Sequence, residues 1–288
     1  MIPSTPSIGI SIATKNRWED VEYTLDHLKA QGLDSLETIL LDDGSPTPAP
    51  SHFAAKFPWV KFVRYETSQG QSRQRNRIAE MLSTPFVLQL DDDSSPIAGD
   101  LGKAVAWMND HPQVCSLAFR ISFRDEKISP DLAPSAPFPA KFFVGCATLL
   151  KKDLFLALGG YEGRFGYAAE ESDFCFRAIQ QGYEIYAYHD VVIEHRVSKA
   201  ERPAGKRTQE IIRNSMLMCL WYYPFPMSYM RALPFVFNRL LKDAYLRAHW
   251  PKMFIGAFQG LICYFTWPHQ KKRLSWEQYR KWQAARYP

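Results

Sequence analysis

Asp91-Asp92-Asp93 is the costliest feature of the sequence. Three adjacent carboxylates repel one another unless a cation sits among them. The apolar run Phe86–Leu90 delivers them. On an extended chain Asp91 and Asp93 face the same side. Hard oxygen ligands of this kind suit Mn2+ or Mg2+ beside a phosphate. A solvated acidic turn is the competing reading, and the apolar strand favours the metal. Asp42-Asp43-Gly44 closes a second apolar run, Leu36–Leu41. An acidic residue at the carboxyl end of a strand accepts hydrogen bonds from a ribose hydroxyl or a base N–H. An Asp-Gly turn explains the same residues equally well. Glu170-Glu171-Ser172-Asp173 opens a helical pattern, with Arg177 four residues beyond Asp173. Acidic first-turn residues favour the helix dipole, and Asp173–Arg177 is an i,i+4 pair. A carboxylate held at a helix start can also act as a general base. Both readings stand at this level. His195 follows the apolar run Val191–Ile193, and its importance rests on the other motifs.

The elements that carry these residues alternate in period. Short apolar runs at Ile8–Ala13, Leu36–Leu41, Val60–Tyr65 and Phe86–Leu90 predict strands. Trp18, Val21, Leu25 and Leu28 predict a helix over Trp18–Ala30, and Gln71–Leu82 reads as another. Pro46, Pro48 and Pro50 forbid a regular helix between the second and third strands. Strand–helix–strand units at this spacing predict an α/β fold with a mostly parallel, covered sheet. A helix at Leu101–Asn109 and a strand at Val114–Phe119 continue the pattern. The proline-rich stretch Arg124–Pro139 predicts a long loop. Phe142–Leu150 is apolar, and a short helix over Lys152–Leu158 closes at Gly159-Gly160. A helix over Glu170–Gln181 stops at Gly182, and extended runs follow at Tyr183–Tyr188 and Val191–Ile193. Helical patterns broken by prolines dominate thereafter.

The chain has 288 residues, 46% hydrophobic and 23% charged, which excludes disordered and fibrous classes. Its five cysteines form no C-x-x-C pair, which argues against a disulfide framework or thiolate zinc site and for a reducing compartment. The first residues predict no secretory signal, and no clean apolar run is long enough to span a membrane; Met253–Trp267 comes nearest. The net charge of +5 conceals a division. Residues 1–195 hold 18 Lys and Arg against 26 Asp and Glu; residues 196–288 hold 17 against 4. An acidic body suits a metal. A basic, aromatic tail suits phosphate or an anionic membrane surface. No nucleic-acid fold signature accompanies it, so no nucleic-acid partner is expected.

Taken in order, the motifs resemble a known family. Ser11–Arg17 (SIATKNR), Ile39–Ser45 (ILLDDGS), Ser68–Asn76 (SQGQSRQRN), Val87–Pro96 (VLQLDDDSSP) and Gly159–Arg177, followed by His195, are similar to the inverting family 2 glycosyltransferases of GT-A fold. The resemblance runs from about Ile8 to His195 and implies a Rossmann-like nucleotide-binding domain. On this reading residues 1–205 form the catalytic domain, 1–100 its nucleotide-binding half and 101–205 its acceptor half. Residues 206–288 form a helical, basic, aromatic extension. The resemblance places Ala13 and Thr14 at the base. Asp42 and Asp43 read base and ribose, and Arg75 and Asn76 lie near the nucleotide. Asp91 and Asp92 belong to the nucleotide-binding set. Asp91-x-Asp93 matches the D-x-D motif, with Asp93, Asp91 and His195 as the metal set. Glu170-Glu171 stands where Glu-Asp is usual, with Glu171 as base and Glu170 as its fallback. Asp173 and Arg177 match the residues that follow.

The activity implied is metal-dependent transfer from a nucleoside-diphosphate sugar to a hydroxyl acceptor, with Mn2+ or Mg2+ as cofactor. The acceptor expected is a glycan or lipid-linked glycan of surface polysaccharide synthesis. The location expected is cytoplasmic, with peripheral attachment at the inner face of the plasma membrane. A sugar nucleotidyltransferase would want a glycine-rich, lysine-bearing loop, and SIATKNR has no glycine. A non-catalytic nucleotide-sugar-binding relative would have no need of Asp91, Asp93, Glu171 and His195. Trp221, Tyr222, Trp250, Trp267, Lys271, Lys272, Arg273, Trp276 and Trp282 have two readings: completion of the core, or a platform at lipid headgroups.

Overall fold

The computed structural model describes residues 7–123, 136–165, 168–197, 204–232, 234, 249–268 and 273–288. The chain divides into two compact units. The first comprises Met1–Tyr161, Tyr183–Lys199 and Ala285–Pro288; the second comprises Glu162–Gly182 and Ala200–Ala284. Most of the proline-rich Arg124–Pro139 stretch lies outside the described residues, as do Lys271 and Lys272.

The first unit is built on one sheet. Strand β1 (Ile8–Thr14) is buried along its whole length and has parallel neighbours at both edges, as a central strand of a covered sheet does. Its partners are β2 (Glu37–Asp42) and β4 (Phe86–Asp91), and β2 pairs in turn with β3 (Val60–Arg64). Helix α1 (Trp18–Ala30) buries Val21, Leu25 and Leu28 of the predicted stripe, with Thr24 beside them, and leaves Trp18 half-buried. Leu25 and Leu28 join Ile10, Ile12, Leu40, Leu88 and Leu90 in one core. Truncating a fully buried leucine such as Leu25 to alanine costs about 2–5 kcal/mol. A short helix, α2 (Phe53–Lys56), precedes β3, and α3 (Gln71–Met81) follows it.

The sheet continues beyond β4 with mixed direction. The remaining strands are β5 (Ser94–Ala98), β6 (Val114–Phe123), β7 (Phe138–Pro139), β8 (Thr148–Lys151) and β9 (Glu184–His195). The order is β3-β2-β1-β4-β8-β6-β9-β5, with β7 paired to β9. The first four strands are parallel, as the alternation predicts. Strand β8 enters antiparallel to both β4 and β6, and β5 runs antiparallel to β9. Helix α4 (Leu101–Asp110) starts on an Asp100 cap, whose carboxylate accepts the Gly102 and Lys103 N–H groups. Helix α5 (Lys152–Ala157) follows β8 and ends near Gly159, which is in the left-handed region.

Two expectations shift, and one strand is added. The sequence assigns Ser94–Ala98 no element, Ser-Ser-Pro having poor strand propensity, yet it pairs at the sheet edge, where proline is tolerated. Strand β6 runs on to Phe123 beside β9. The two extended runs near residues 183–193 are one strand, and its register shifts beside β6 between Phe119 and Arg120.

The second unit contains α6 (Glu170–Gln180), α7 (Ala204–Tyr222), α8 (Trp250–Thr266) and α9 (Trp276–Ala284). Phe176 stacks on Tyr222 with ring centroids 4.8 Å apart and meets Trp282 at 5.2 Å. Tyr222 and Trp282 are therefore core residues of this unit. No helix among the described residues is long and apolar enough to cross a membrane.

Candidate active site

Parallel pairing brings the carboxyl ends of β1, β2 and β4 side by side. Thr14 is registered with Asp42, and Ala13 with Asp91. This end of a parallel sheet is where α/β folds bind ligands. Ala13, Thr14, Asp42, Asp43, Asp92 and Asp93 are all buried there.

The three aspartates have separate environments. Asp91 accepts from Arg75 Nη2 at 2.6 Å and from Gln71 Nε2 at 3.0 Å. Asp92 turns inward and accepts the Thr14 hydroxyl at 2.7 Å, while Arg17 Nη2 lies 3.1 Å from its other oxygen. Its backbone carbonyl accepts the Thr24 hydroxyl of α1 at 2.6 Å, tying the acidic turn to the helix. Burial pushes the Asp92 carboxyl up to about 8 against the pull of Arg17. Asp93 meets Arg17 Nη1 at 3.1 Å and His195 Nε2 at 3.3 Å. The hydrogen bond that the His195 imidazole donates to Asp93 raises its pKa above the ordinary value, against the effect of burial.

His195 arrives from the end of β9. Its strand position is registered with Ser94 of β5, directly after Asp93. One donor atom each from Asp91, Cys146 and His195 lie within 4.8 Å of one another. Cys146 was not singled out by sequence, since it belongs to no paired motif. The apolar run around it, and its fixed place before β8, were the only signal. Two carboxylates and an imidazole fit Mn2+ or Mg2+, and a soft thiolate is not a ligand those ions favour. Burial in any case holds Cys146 as a small apolar residue.

Asp42 and Asp43 hold their surroundings. Asp42 accepts from Ser45 through both its N–H and its hydroxyl, and from Arg64 Nη1 at 2.5 Å. Asp43 accepts the Gln69 N–H at 2.6 Å, the Gly70 N–H at 3.1 Å and the Ser68 hydroxyl at 2.5 Å. Asp43 therefore fixes the loop that starts α3. Gln74 of α3 donates to the carbonyls of Thr14 and Leu41, locking the helix to two strand ends. Asn76 is committed to the backbone: its amide donates to the Tyr161 carbonyl at 2.8 Å and its oxygen accepts the Tyr161 N–H at 2.7 Å. Neighbouring Arg75 lies over the Tyr161 ring at 5.9 Å.

In the second unit, α6 begins after Ala168 and Ala169, both in the left-handed region at φ of 62° and 80°. Two successive alanines there store backbone strain, which the surroundings must hold. Asn214 of α7 does so by donating to the Ala168 carbonyl at 2.8 Å. Glu170 is buried and Glu171 is part-exposed. Asp173 accepts Arg177 Nε at 2.9 Å and the Tyr222 hydroxyl at 2.5 Å. Burial, then the neighbouring Asp173, raise the Tyr222 phenol above its ordinary range, so it serves as a donor. The Arg213-Asn214 and Trp221-Tyr222-Tyr223 segment thus supports the helix that carries the paired glutamates.

A sheet of this order, with an acidic cluster at its parallel strand ends, defines the GT-A fold. It is shared with the mannosyltransferase PcManGT from Pyrobaculum calidifontis, solved in complex with GDP-Man and Mn2+: TM-score 0.61, 18% identity, covering 92% of this chain and 88% of that one. It is also shared with GalNAc-T7 solved with UDP, GalNAc and Mn2+, at TM-score 0.64, 13% identity and 86% and 55% coverage. S. aureus TarS 1-349 in complex with UDP-GlcNAc gives a TM-score of 0.60 at 14% identity, with 88% and 81% coverage. Residues 10–162 match Glycosyl transferase family 2, and the chain belongs to that family. An uncharacterized glycosyltransferase of Haemophilus influenzae is 25% identical over 185 residues, or 60% of this chain and 62% of the relative. The pre-mycofactocin glycosyltransferase of Mycobacterium tuberculosis is 25% identical over 197 residues, or 62% of this chain and 40% of the relative. The matches therefore span less than two thirds of either relative.

Proposed function

We propose that this chain is an inverting glycosyltransferase that uses a nucleoside-diphosphate sugar and a divalent cation. The observation that carries the reading is that His195 stands beside Asp93 and, separately, within reach of Asp91 at the end of β4. In this reading the base and ribose lie against Ala13 and Thr14, with Asp42 and Asp43 shaping the floor. Arg75 and Asp92 complete the diphosphate end of the site. Asn76 contributes by holding the Tyr161 backbone.

Asp93, Asp91 and His195 would hold Mn2+ or Mg2+, whose chemistry here is to neutralise charge on the departing diphosphate. The chain's own residues do the rest. Glu171 takes the acceptor hydroxyl proton as the oxygen attacks the anomeric carbon. The bond to the diphosphate oxygen breaks on the opposite face, and the leaving group keeps the electron pair. Configuration inverts in a single displacement. Glu171 is favoured over Glu170 because it is the less buried of the two. Asp173 acts through Arg177 and Tyr222 as a positioning residue.

The acceptor class proposed is a glycan or lipid-linked glycan of surface polysaccharide synthesis. An anionic membrane surface is where the basic C-terminal region would meet a lipid-linked acceptor. A thermal-shift screen of nucleoside diphosphates and their sugars, with and without Mn2+, tests the reading. One nucleotide should stabilise the protein more with Mn2+ than without. No stabilisation by any of them, together with no hydrolysis of any nucleotide sugar, would overturn it.

A further inference from the structure

We propose that the outer face of α8, Trp250–Thr266, is an interfacial membrane-binding surface that lies on an anionic leaflet without crossing it. The helix is turned inside out for a water-soluble protein. Its buried positions are Met253, Gly256 and Gly260, while Phe254, Phe258, Leu261, Ile262 and Phe265 are exposed. Phe258 is 65% exposed and Phe265 75%. At 100° per residue these five side chains, with Trp250, form one continuous stripe. An exposed apolar face of this extent marks an interaction surface.

The inner face explains how the helix is held while its large residues point away. Gly256 and Gly260 sit four residues apart against α7. A Cβ at Gly256 would run into the Gln209 carbonyl, and one at Gly260 would lie 3.2 Å from the Arg213 carbonyl. The glycines let the two helix backbones approach closely, the packing that helices use where apolar burial is not the driving force. Gln209 also donates to Gln259 at 2.7 Å across this seam. The phenylalanines are thus not needed to seat α8.

Charge selects the occupant. Residues 196–288 carry 17 Lys and Arg against 4 Asp and Glu. A second copy on this face would bring two strongly basic regions together, whereas an anionic leaflet complements them. Trp250, 57% exposed, stands at the start of the helix on this face, the residue type that settles at headgroup depth. The helix has 17 residues and does not meet the length and apolarity of a span, which fits binding in the interface plane. The inference goes beyond the proposed transfer reaction and does not depend on it.

The test is flotation with vesicles of phosphatidylglycerol and phosphatidylcholine in equal parts, beside vesicles of phosphatidylcholine alone. The wild-type protein should float with the mixed vesicles and float less with the neutral ones. Each of Phe254→Ser, Phe258→Ser and Phe265→Ser should lower partition about tenfold, with an unchanged melting temperature, since each residue is exposed. Brominated lipids should quench the wild type more than Trp250→Phe, a readout that needs no destabilising change. Failure to float on mixed vesicles, or flotation of all three variants equal to that of the wild type, overturns the proposal. A wild-type dimer that becomes monomeric in the variants also overturns it and assigns the face to a second copy. Nucleoside-diphosphate binding, scored on the same samples, reports separately on the transferase reading.

Discussion

His195 Nε2 and Asp93 Oδ1 stand 3.3 Å apart, one at the end of β9 and the other in the turn that leads into β5. The Asp93 hydrogen bond raises the imidazole above 6.5 in the folded protein. A raised pKa contributes stability that is fully present below the unfolded value and lost as pH rises through the folded value. Metal-free protein should therefore melt higher than His195→Gln at pH 5.5, and the gap should shrink by pH 9. Melting curves of both proteins in EDTA across that range are the check. A gap that widens with pH would mean that the imidazole is neutral when it meets Asp93.

The same pair makes cation binding compete with a proton, because a metal-bound imidazole must be neutral. Mn2+ should bind more weakly at pH 6 than at pH 8. Asp93→Ala should lose Mn2+-dependent nucleotide binding and stay folded, since it removes one carboxylate near two cationic side chains without opening the apolar core. Titration calorimetry with Mn2+ and a nucleoside diphosphate reads both effects. Turnover that survives both EDTA and Asp93→Ala would remove the cation from the reaction.

Glu171→Gln keeps the side-chain size and removes the proton acceptor. Transfer should fall by at least ~100-fold, the usual scale for a general base, with donor binding nearly unchanged. Glu170→Gln should cost less activity, although Glu170 is the more buried. Single-turnover rates with saturating donor separate the two. The reverse order would move the base to Glu170, and two near-normal variants would leave both glutamates with only a helix-start role.

Much of this was legible because it is local. The β1–β4 alternation and the helix Trp18–Ala30 follow from apolar spacing alone. The acidic ends of β2 and β4 follow from Asp-Gly and Asp-Asp-Asp beside apolar runs. What was not legible depends on partners distant in the chain. Asp43 caps a loop 26 residues away through Gln69, and Asn76 binds a backbone 85 residues away at Tyr161. Cys146 reaches the neighbourhood of His195 only through strand pairing. The apolar stretch Met253–Trp267 was visible as composition. Which of its residues face outward was not, because glycines, usually passive in such counts, form the buried side.

The Asn76–Tyr161 pairing carries the last prediction. Gly160 precedes Tyr161 at φ +60°, and a Cβ there would lie 2.6 Å from Asn76 Oδ1. Gly160→Ala therefore meets two costs. Alanine in the left-handed region is disfavoured by roughly 1 kcal/mol, and the methyl group displaces the amide that closes two hydrogen bonds. Asn76→Ala removes those bonds without the backbone strain and leaves the Tyr161 N–H and carbonyl unmet, at about 1–3 kcal/mol. Both variants should melt lower, Gly160→Ala the more so, and the double variant should fall short of the sum because both act on one contact. Asn76→Asp restores an acceptor for the Tyr161 N–H but no donor for its carbonyl, so it should recover only part of the loss. If Asn76 served the nucleotide alone, Asn76→Ala and Asn76→Asp would lose donor affinity with no change in melting temperature. Denaturant melts beside nucleotide titrations distinguish these outcomes.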